Sequence, residues 1–266
     1  MVNFQDELKK RTEEINKVIQ SYLPEEEGFA KTMAQAMNYS ILAGGKRLRP
    51  MLILETLRLF GGEEKLAYPF MAAMEMIHTH SLVHDDLPAL DNDDYRRGRL
   101  TTHKVYGEAM GVLSGVALLN YAYEVMLTAF DTADTPDCQA HVIQALKVMS
   151  HKTGLYGMLG GQTADVINTG RMIDDDLMYY IYENKTGALI EGSMMIGAAL
   201  AGAGEDECNL VKQIGSCIGM AFQIQDDLLD IYGDEKILGK PVGSDDRNDK
   251  KTYVTVNGVS KSKSDI

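Results

Sequence analysis

The stretch His84-Asp85-Asp86-Leu87-Pro88-Ala89-Leu90-Asp91-Asn92-Asp93-Asp94-Tyr95-Arg96-Arg97-Gly98-Arg99 sets five carboxylates directly before three guanidinium groups. Carboxylates crowded in this way repel one another unless a counter-ion sits among them. Magnesium takes oxygen ligands and commonly shares one or two carboxylates with substrate phosphates. Arginine holds phosphate oxygens through two parallel hydrogen bonds. The acidic half therefore suits a divalent cation and the basic half a diphosphate. A solvated, salt-laced loop would have the same composition, but two features argue for a built site. The run follows Met74-Glu75-Met76-Ile77-His78-Thr79-His80-Ser81-Leu82-Val83, apolar at helical spacing, which predicts that Asp85 and Asp86 end a buried helix. Pro88, which has no N–H to donate, breaks or kinks that helix and lets Asp91 turn back toward Asp85, which a six-residue offset on a straight helix would not allow.

The rest of the chain bounds what such a site can belong to. With 266 residues, 45% apolar and 24% charged, it is long enough for a single large domain over 1–266 with a sizeable core. The longest uncharged runs, Ala109 to Tyr123 and Gly192 to Gly204, fall short of the roughly 20 apolar residues of a membrane helix and are read as buried helices. No stable membrane insertion is expected. Met1 to Lys10 is polar and amphipathic, without the apolar core of a secretory signal, so a cytoplasmic protein is expected. Cys138, Cys208 and Cys217 are odd in number and far apart, which supports neither a disulfide framework nor a zinc knuckle. A net charge of −13 opposes nucleic acid and anionic membranes as partners. It also means that any diphosphate must be held by a local cluster of cations.

Working outward, helical periodicity over Asp6 to Tyr22 is closed by Pro24. A second helix begins near Phe29 and stops at Gly44-Gly45, where glycine permits a left-handed turn. Lys46-Arg47-Leu48-Arg49-Pro50 then enters an apolar helix, so cations precede a helix start whose free N–H groups also favour anions. His78 lies two turns before Asp85. Farther on, Gly160-Gly161-Gln162-Thr163-Ala164-Asp165 permits close backbone approach. Lys185-Thr186-Gly187 is unfavourable within a helix; a kink presenting the Lys185 ammonium and the Thr186 hydroxyl to a cavity is one explanation, and mere tolerance of a glycine is the other. A second acidic cluster, Gln223-Ile224-Gln225-Asp226-Asp227-Leu228-Leu229-Asp230, places Asp226 and Asp230 on one helix face near Gln223, with Ile224, Leu228 and Ile231 opposite. Burying such carboxylates unpaired would cost several kcal/mol per ion, so a metal or a basic partner is implied. Gly239 to Lys251 is a polar loop, Thr252 to Val256 a possible short strand, and the tail shows no clear closing helix.

No other strand-period stretch and no internal repeat occurs, so the fold class is all-α, a single large helical bundle around a central cavity. Two acidic helices about 140 residues apart would face one another across that cavity with metal ions between. Such a site would neutralise a diphosphate leaving group while an apolar interior receives its carbon skeleton.

These residues resemble the trans-isoprenyl diphosphate synthases, most closely the bacterial farnesyl diphosphate synthases. The resemblance runs through Gly44-Gly45-Lys46-Arg47-Leu48-Arg49-Pro50, the Asp85 to Arg97 motif with two extra residues before Asp91, Lys185-Thr186, Phe222-Gln223 to Asp230, and Gly239-Lys240-Pro241. It implies a head-to-tail condensation in which an allylic diphosphate ionises, isopentenyl diphosphate attacks through its double bond, and a proton leaves. By that resemblance Asp85, Asp91 and Asp226 bind Mg²⁺, more than one ion per site, with Asp86, Asp227 and Asp230 in support. Arg96, Lys185 and Lys240 hold the allylic diphosphate, while Lys46, Arg49, His78 and Arg97 hold isopentenyl diphosphate. Thr186 and Gln223 direct oxygen dipoles at the developing cation. A homodimer is implied as well.

Product length follows from the floor beneath Asp85, where Ser81 lies one turn down and His80 about 7.5 Å down the helix axis. His80 is smaller than the aromatic residue usual in farnesyl-making relatives, so the expected product is mainly C15, with C20 as the alternative. Two departures stand out: Val116 replaces a usual aspartate, and relatives typically continue beyond Ile266 through further helices that close the active-site end. A silent partner subunit would have lost aspartates that this chain keeps. A terpene cyclase would need no isopentenyl site at Lys46 and Arg49.

Overall fold

A computed structural model describes residues 3–233 and 251–266. Lys240 and the rest of the expected polar loop, apart from Lys251, lie outside the described residues. The described elements are helices apart from one short hairpin. They fall into two compact units, Met1–Leu146 with Ser193–Gly204, and Lys147–Gly192 with Glu205–Ile266.

The first unit is built on α4 (Glu64–Asp85), the helix that delivers the acidic stretch. Its Phe70, Met71, Met74, Met76 and Ile77 are fully buried, so it is apolar nearly all round, as an interior helix must be. Around it stand α1 (Phe4–Ser21), α2 (Lys31–Ile41), α3 (Leu48–Leu59), a short α5 (Thr102–Tyr106) and α6 (Glu108–Leu127). Gly115 lets α6 approach α4, because a Cβ there would fall 2.1 Å from His84 Nε2, and Gly111 makes room for Leu87 and His103. Strands β1 (Tyr95–Arg96) and β2 (Arg99–Leu100) pair antiparallel. Arg97 and Gly98 between them both have positive φ, the backbone of the tight turn that matches strand twist.

In the second unit, α8 (Met158–Asn168), α9 (Asp175–Ile181), a π-helical turn (Tyr182–Gly187) and α11 (Glu205–Tyr232) are joined by α12 (Tyr253–Asn257) and α13 (Val259–Asp265). Asp174 caps α9 by accepting from Leu177 N at 2.8 Å. Met178, Ile181, Tyr182, Ile224 and Tyr253 form its core cluster. Two further helices, α7 (Pro136–Thr153) and α10 (Ala188–Leu200), carry the chain from one unit into the other.

Several expectations need correction. Thr252 to Val256 is helical rather than extended, because Thr252 and Thr255 form a reciprocal capping box. The tail closes with α13, a polar helix with too few apolar positions to show a period. The 95–100 hairpin is too short for a period-two pattern. The face of α6 that carries Val112, Leu113 and Val116 is 44–53% exposed, so this helix is not wholly buried. Among the described residues, Glu108–Asp131 is the one helical stretch long and apolar enough to cross a membrane by length and composition alone. Ile231, expected on the buried side of α11, is 47% exposed.

Candidate active site

In the first unit the helix ends as the proline implies. Asp86 caps α4, and the chain then turns so that Asp91 N donates to Asp85 O at 2.8 Å. Asn92, in the left-handed region, lets its amide reach Leu87 O at 3.1 Å. Asp91 is thereby brought back beside Asp85, with Asp91 exposed and Asp85 half-buried.

Asp86, 3% exposed, points to the hairpin, where Arg96 Nε donates to its Oδ1 at 2.9 Å. Burial pushes the Asp86 carboxyl up, against the pull of Arg96. Burial also opposes the charge on Arg96, but Asp86 outweighs it and holds that guanidinium more firmly protonated. Asp93 lies 3.6 Å away from the same guanidinium.

Behind this pair lies a concentration of positive charge. Arg97 donates to Gly44 O, and a Cβ on Gly45 would meet the Arg97 guanidinium at 2.8 Å. The glycine pair is therefore the seat of Arg97 as well as a helix stop. Arg49 Nη1 is 3.5 Å from His78 Nε2; since a guanidinium only donates, that nitrogen accepts, and the imidazole is neutral. Burial lowers the His78 pKa well below the usual value, and Arg49, Arg97, Arg96 and Arg47 push it further. Burial lowers Arg49 to about 10, and its Nε is enclosed without a partner. A buried donor left unpaired amid like charges is costly, and an anion would relieve it. Lys46 is exposed on the same turn.

Arg47 has a different task. It is 4% exposed and is used up by Glu75, Asn16 and Ile41 O. Its ion pair with the buried Glu75 anchors the start of α3 to the middle of α4.

His80 is 5% exposed, with Nδ1 2.9 Å from Gly115 O. Its ring meets that of His84 edge-on at 4.6 Å. Burial, then His84, lowers its pKa to about 4. Ser81 donates to His78 O.

In the second unit the expected kink at Lys185 is the π-helical turn itself, a form frequent at functional sites. Gly161 and Gly219 make room for it, since added Cβ atoms would fall 2.2 Å from Lys185 N and 2.8 Å from Gly187 Cα. Lys185 Nζ pairs with Asp165 Oδ2 at 2.5 Å, which gives the Gly160 to Asp165 stretch a purpose that its sequence left open. Thr186 donates to Gln223 Oε1 at 2.7 Å, and Gln223 Nε2 donates to Asp227 Oδ1 at 3.0 Å. The buried acidic face of α11 is thus Gln223, Asp227 and Asp230, with Asp227 3% and Asp230 5% exposed. Asp226, which the sequence reading had paired with Asp230, is half-buried.

Among the described residues, no three His, Cys, Asp or Glu side chains gather closely enough to cage an ion by themselves. An all-oxygen set of separate carboxylates beside arginines, which suit phosphate, is a donor set that fits magnesium arriving with a phosphate ligand.

A mostly helical scaffold whose interior helix ends in carboxylates, next to crowded guanidinium groups, is an arrangement suited to diphosphates. Comparison with known proteins narrows this. The polyprenyl synthetase family profile matches residues 30–266, and the chain belongs to that family, whose members are prenyltransferases. It is 42% identical over 246 residues to the farnesyl diphosphate synthase of Geobacillus stearothermophilus, covering 92% of this chain and 82% of the relative. To geranylgeranyl pyrophosphate synthase 4 of Arabidopsis thaliana it is 42% identical over 264 residues, covering 98% and 69%. The geranyltransferase of Helicobacter pylori, solved in complex with magnesium and isoprenyl diphosphate, superposes with a TM-score of 0.84 at 26% identity, covering 99% and 87%.

Proposed function

We propose that the chain, acting as one domain over 1–266, catalyses the magnesium-dependent head-to-tail condensation of isopentenyl diphosphate with dimethylallyl and geranyl diphosphates, and that farnesyl diphosphate is the main product. The observation that carries this reading is the half-buried cation cluster of Arg49, Arg96 and Arg97 about a neutral His78, with Arg49 Nε enclosed and lacking a partner. Arg49, Arg97, His78 and Lys46 hold isopentenyl diphosphate. Arg96 and Lys185 hold the allylic diphosphate, together with Lys240, which lies outside the described residues.

Asp85, Asp91 and Asp226 would hold Mg²⁺, with Asp86, Asp227 and Asp230 in support. The ion supplies charge neutralisation to the departing diphosphate. As the allylic C–O bond breaks, its electron pair leaves with the diphosphate. Thr186 and Gln223 set oxygen dipoles against the cation. The isopentenyl double bond then forms the new C–C bond and a proton is lost.

The magnesium reading is supported by the oxygen donor set and by the Helicobacter pylori complex. The C15 product is supported by the Geobacillus relative and by the bulk of His80; equal identity to a geranylgeranyl pyrophosphate synthase keeps C20 as the alternative. The exposed Val112, Leu113 and Val116 of α6 favour a homodimer. A cytoplasmic location belongs to the same reading.

Incubation with radiolabelled isopentenyl diphosphate, an allylic diphosphate and Mg²⁺ tests the reading. Label in a C15 diphosphate is expected. Label in C20 selects the alternative, and no incorporation overturns the assignment. His80→Ala should lengthen the product, and an unchanged length would remove His80 as the floor.

A further inference from the structure

Four side chains of the second unit form one line of hydrogen bonds. Thr186 donates to Gln223, Gln223 donates to Asp227 Oδ1, and Tyr182 donates its hydroxyl to Asp227 Oδ2 at 2.5 Å. The Tyr253 backbone N–H reaches the Tyr182 oxygen at 2.8 Å and Asp227 Oδ2 at 3.2 Å. Asp227 and Tyr182 are 3% and 4% exposed, so water competes little and each bond strengthens the next.

The line has only one direction. An ionised carboxylate accepts and cannot donate, so Gln223 must turn its NH₂ toward Asp227 and its carbonyl toward Thr186. Thr186 then spends its proton on that carbonyl and keeps oxygen lone pairs, rather than an O–H, to offer a cation. The orientation of both dipoles therefore depends on where the Asp227 carboxylate is held. Tyr182 holds it from the first position of the same π-helical turn that carries Thr186.

We propose that Tyr182 is a positioning residue for the ionisation step: through Asp227 it locks the Gln223 amide, and so aims the Gln223 and Thr186 oxygens at the carbon that becomes positive. This deepens the reading of Thr186 and Gln223 given above and rests on it. Asp227 acts here as the orienter of Gln223.

The test removes one oxygen, in Tyr182→Phe. Since the aim matters only once charge develops, kcat should fall about tenfold while KM for both diphosphates stays within about twofold. Titration calorimetry with Mg²⁺ adds a readout that does not need turnover. A diphosphate bearing an ammonium nitrogen at the cationic position should bind about tenfold more weakly to Tyr182→Phe, and an uncharged thio analogue equally to both proteins.

On a Gln223→Leu background, Tyr182→Phe should lower kcat by less than about twofold more, because the route through Gln223 is already cut. If Tyr182→Phe does not fold, Tyr182→Met, which fills the site without a donor, must show the same selective loss. Equal weakening of the two analogues, an unchanged kcat, or additive loss on the Gln223→Leu background overturns the positioning role. A wild-type chain that extends no allylic diphosphate overturns the function reading beneath it, and the two failures are thereby told apart.

Discussion

Asp86 ends α4 against the guanidinium of Arg96, whereas Asp227 lies within α11 against a phenol, an amide and a backbone N–H. Both carboxylates are 3% exposed, and both belong to acidic clusters of similar spelling. The first is balanced by full charge and sits among further cations, so it belongs to a region that waits for anions. The second accepts from a phenol, an amide and a backbone N–H, neutral donors that fix one another's direction. Sequence pattern alone makes the two clusters equivalent; their partners distinguish a carboxylate tied to a guanidinium from one that also orients an amide.

The contrast predicts unequal sensitivity to losing one partner. Glu75→Gln would leave Arg47 buried without its counter-charge, and breaking a buried ion pair costs about 3–5 kcal/mol. Urea unfolding should register that loss, and a cost under about 1 kcal/mol would mean that the charged region is far more hydrated than its burial indicates.

Acid should act next most strongly, through the histidines of α4. His80 is held near 4 and His78 well below its usual value of 6.5. Between those values and 6.5 the unfolded chain binds more protons than the folded one, so stability rises with pH there. It is complete above about 6.5 and is lost as pH falls through the folded values, by up to about 3 kcal/mol for His80. His80→Asn should flatten the fall in melting temperature between pH 6.5 and 4. An unaltered pH profile would refute neutral burial of His80.

A smaller effect is expected at Arg96→Lys, which keeps the charge but loses the planar fork that meets Asp86. A drop in kcat/KM for the allylic diphosphate of about 10- to 100-fold, equivalent to about 1.4–2.7 kcal/mol, should accompany nearly unchanged stability. If lysine serves as well, charge alone suffices and the fork has no special part.

Much of this was legible beforehand because it follows from local chemistry. Apolar spacing over Met74 to Val83 gave the buried helix, and Pro88 gave the return of Asp91 to Asp85. The threonine and glycine after Lys185 announced a distortion, which proved to be a π-helical turn. Partners contributed from far along the chain left no such mark. Glu75 reads as one polar residue in a core helix, yet it secures Arg47 from 28 residues away. Asp165 stood in a glycine-rich run with no evident role until Lys185 met it. Nothing in the sequence marks Tyr182, and its hydroxyl matters only because α11 brings Asp227 to it. The hairpin at 95–100 escaped because two-residue strands have no period.

The smallest predicted effect concerns the segment whose secondary structure was misread. Thr252 to Val256 alternates β-branched and aromatic residues as a strand would, but Thr255 N donates to Thr252 Oγ1 at 3.2 Å and Thr252 N to Thr255 Oγ1 at 2.9 Å. Replacing the hydroxyl by a methyl in Thr252→Val separates the alternatives, since valine keeps or raises strand preference while removing the helix cap. A helix should lose about 1 kcal/mol, seen as faster amide exchange over residues 253–257; a strand would lose nothing. Because Tyr253 N is also the donor that reaches Tyr182 and Asp227, fraying of this cap should loosen the aiming region first and leave the cation cluster of Arg49 and Arg97 undisturbed.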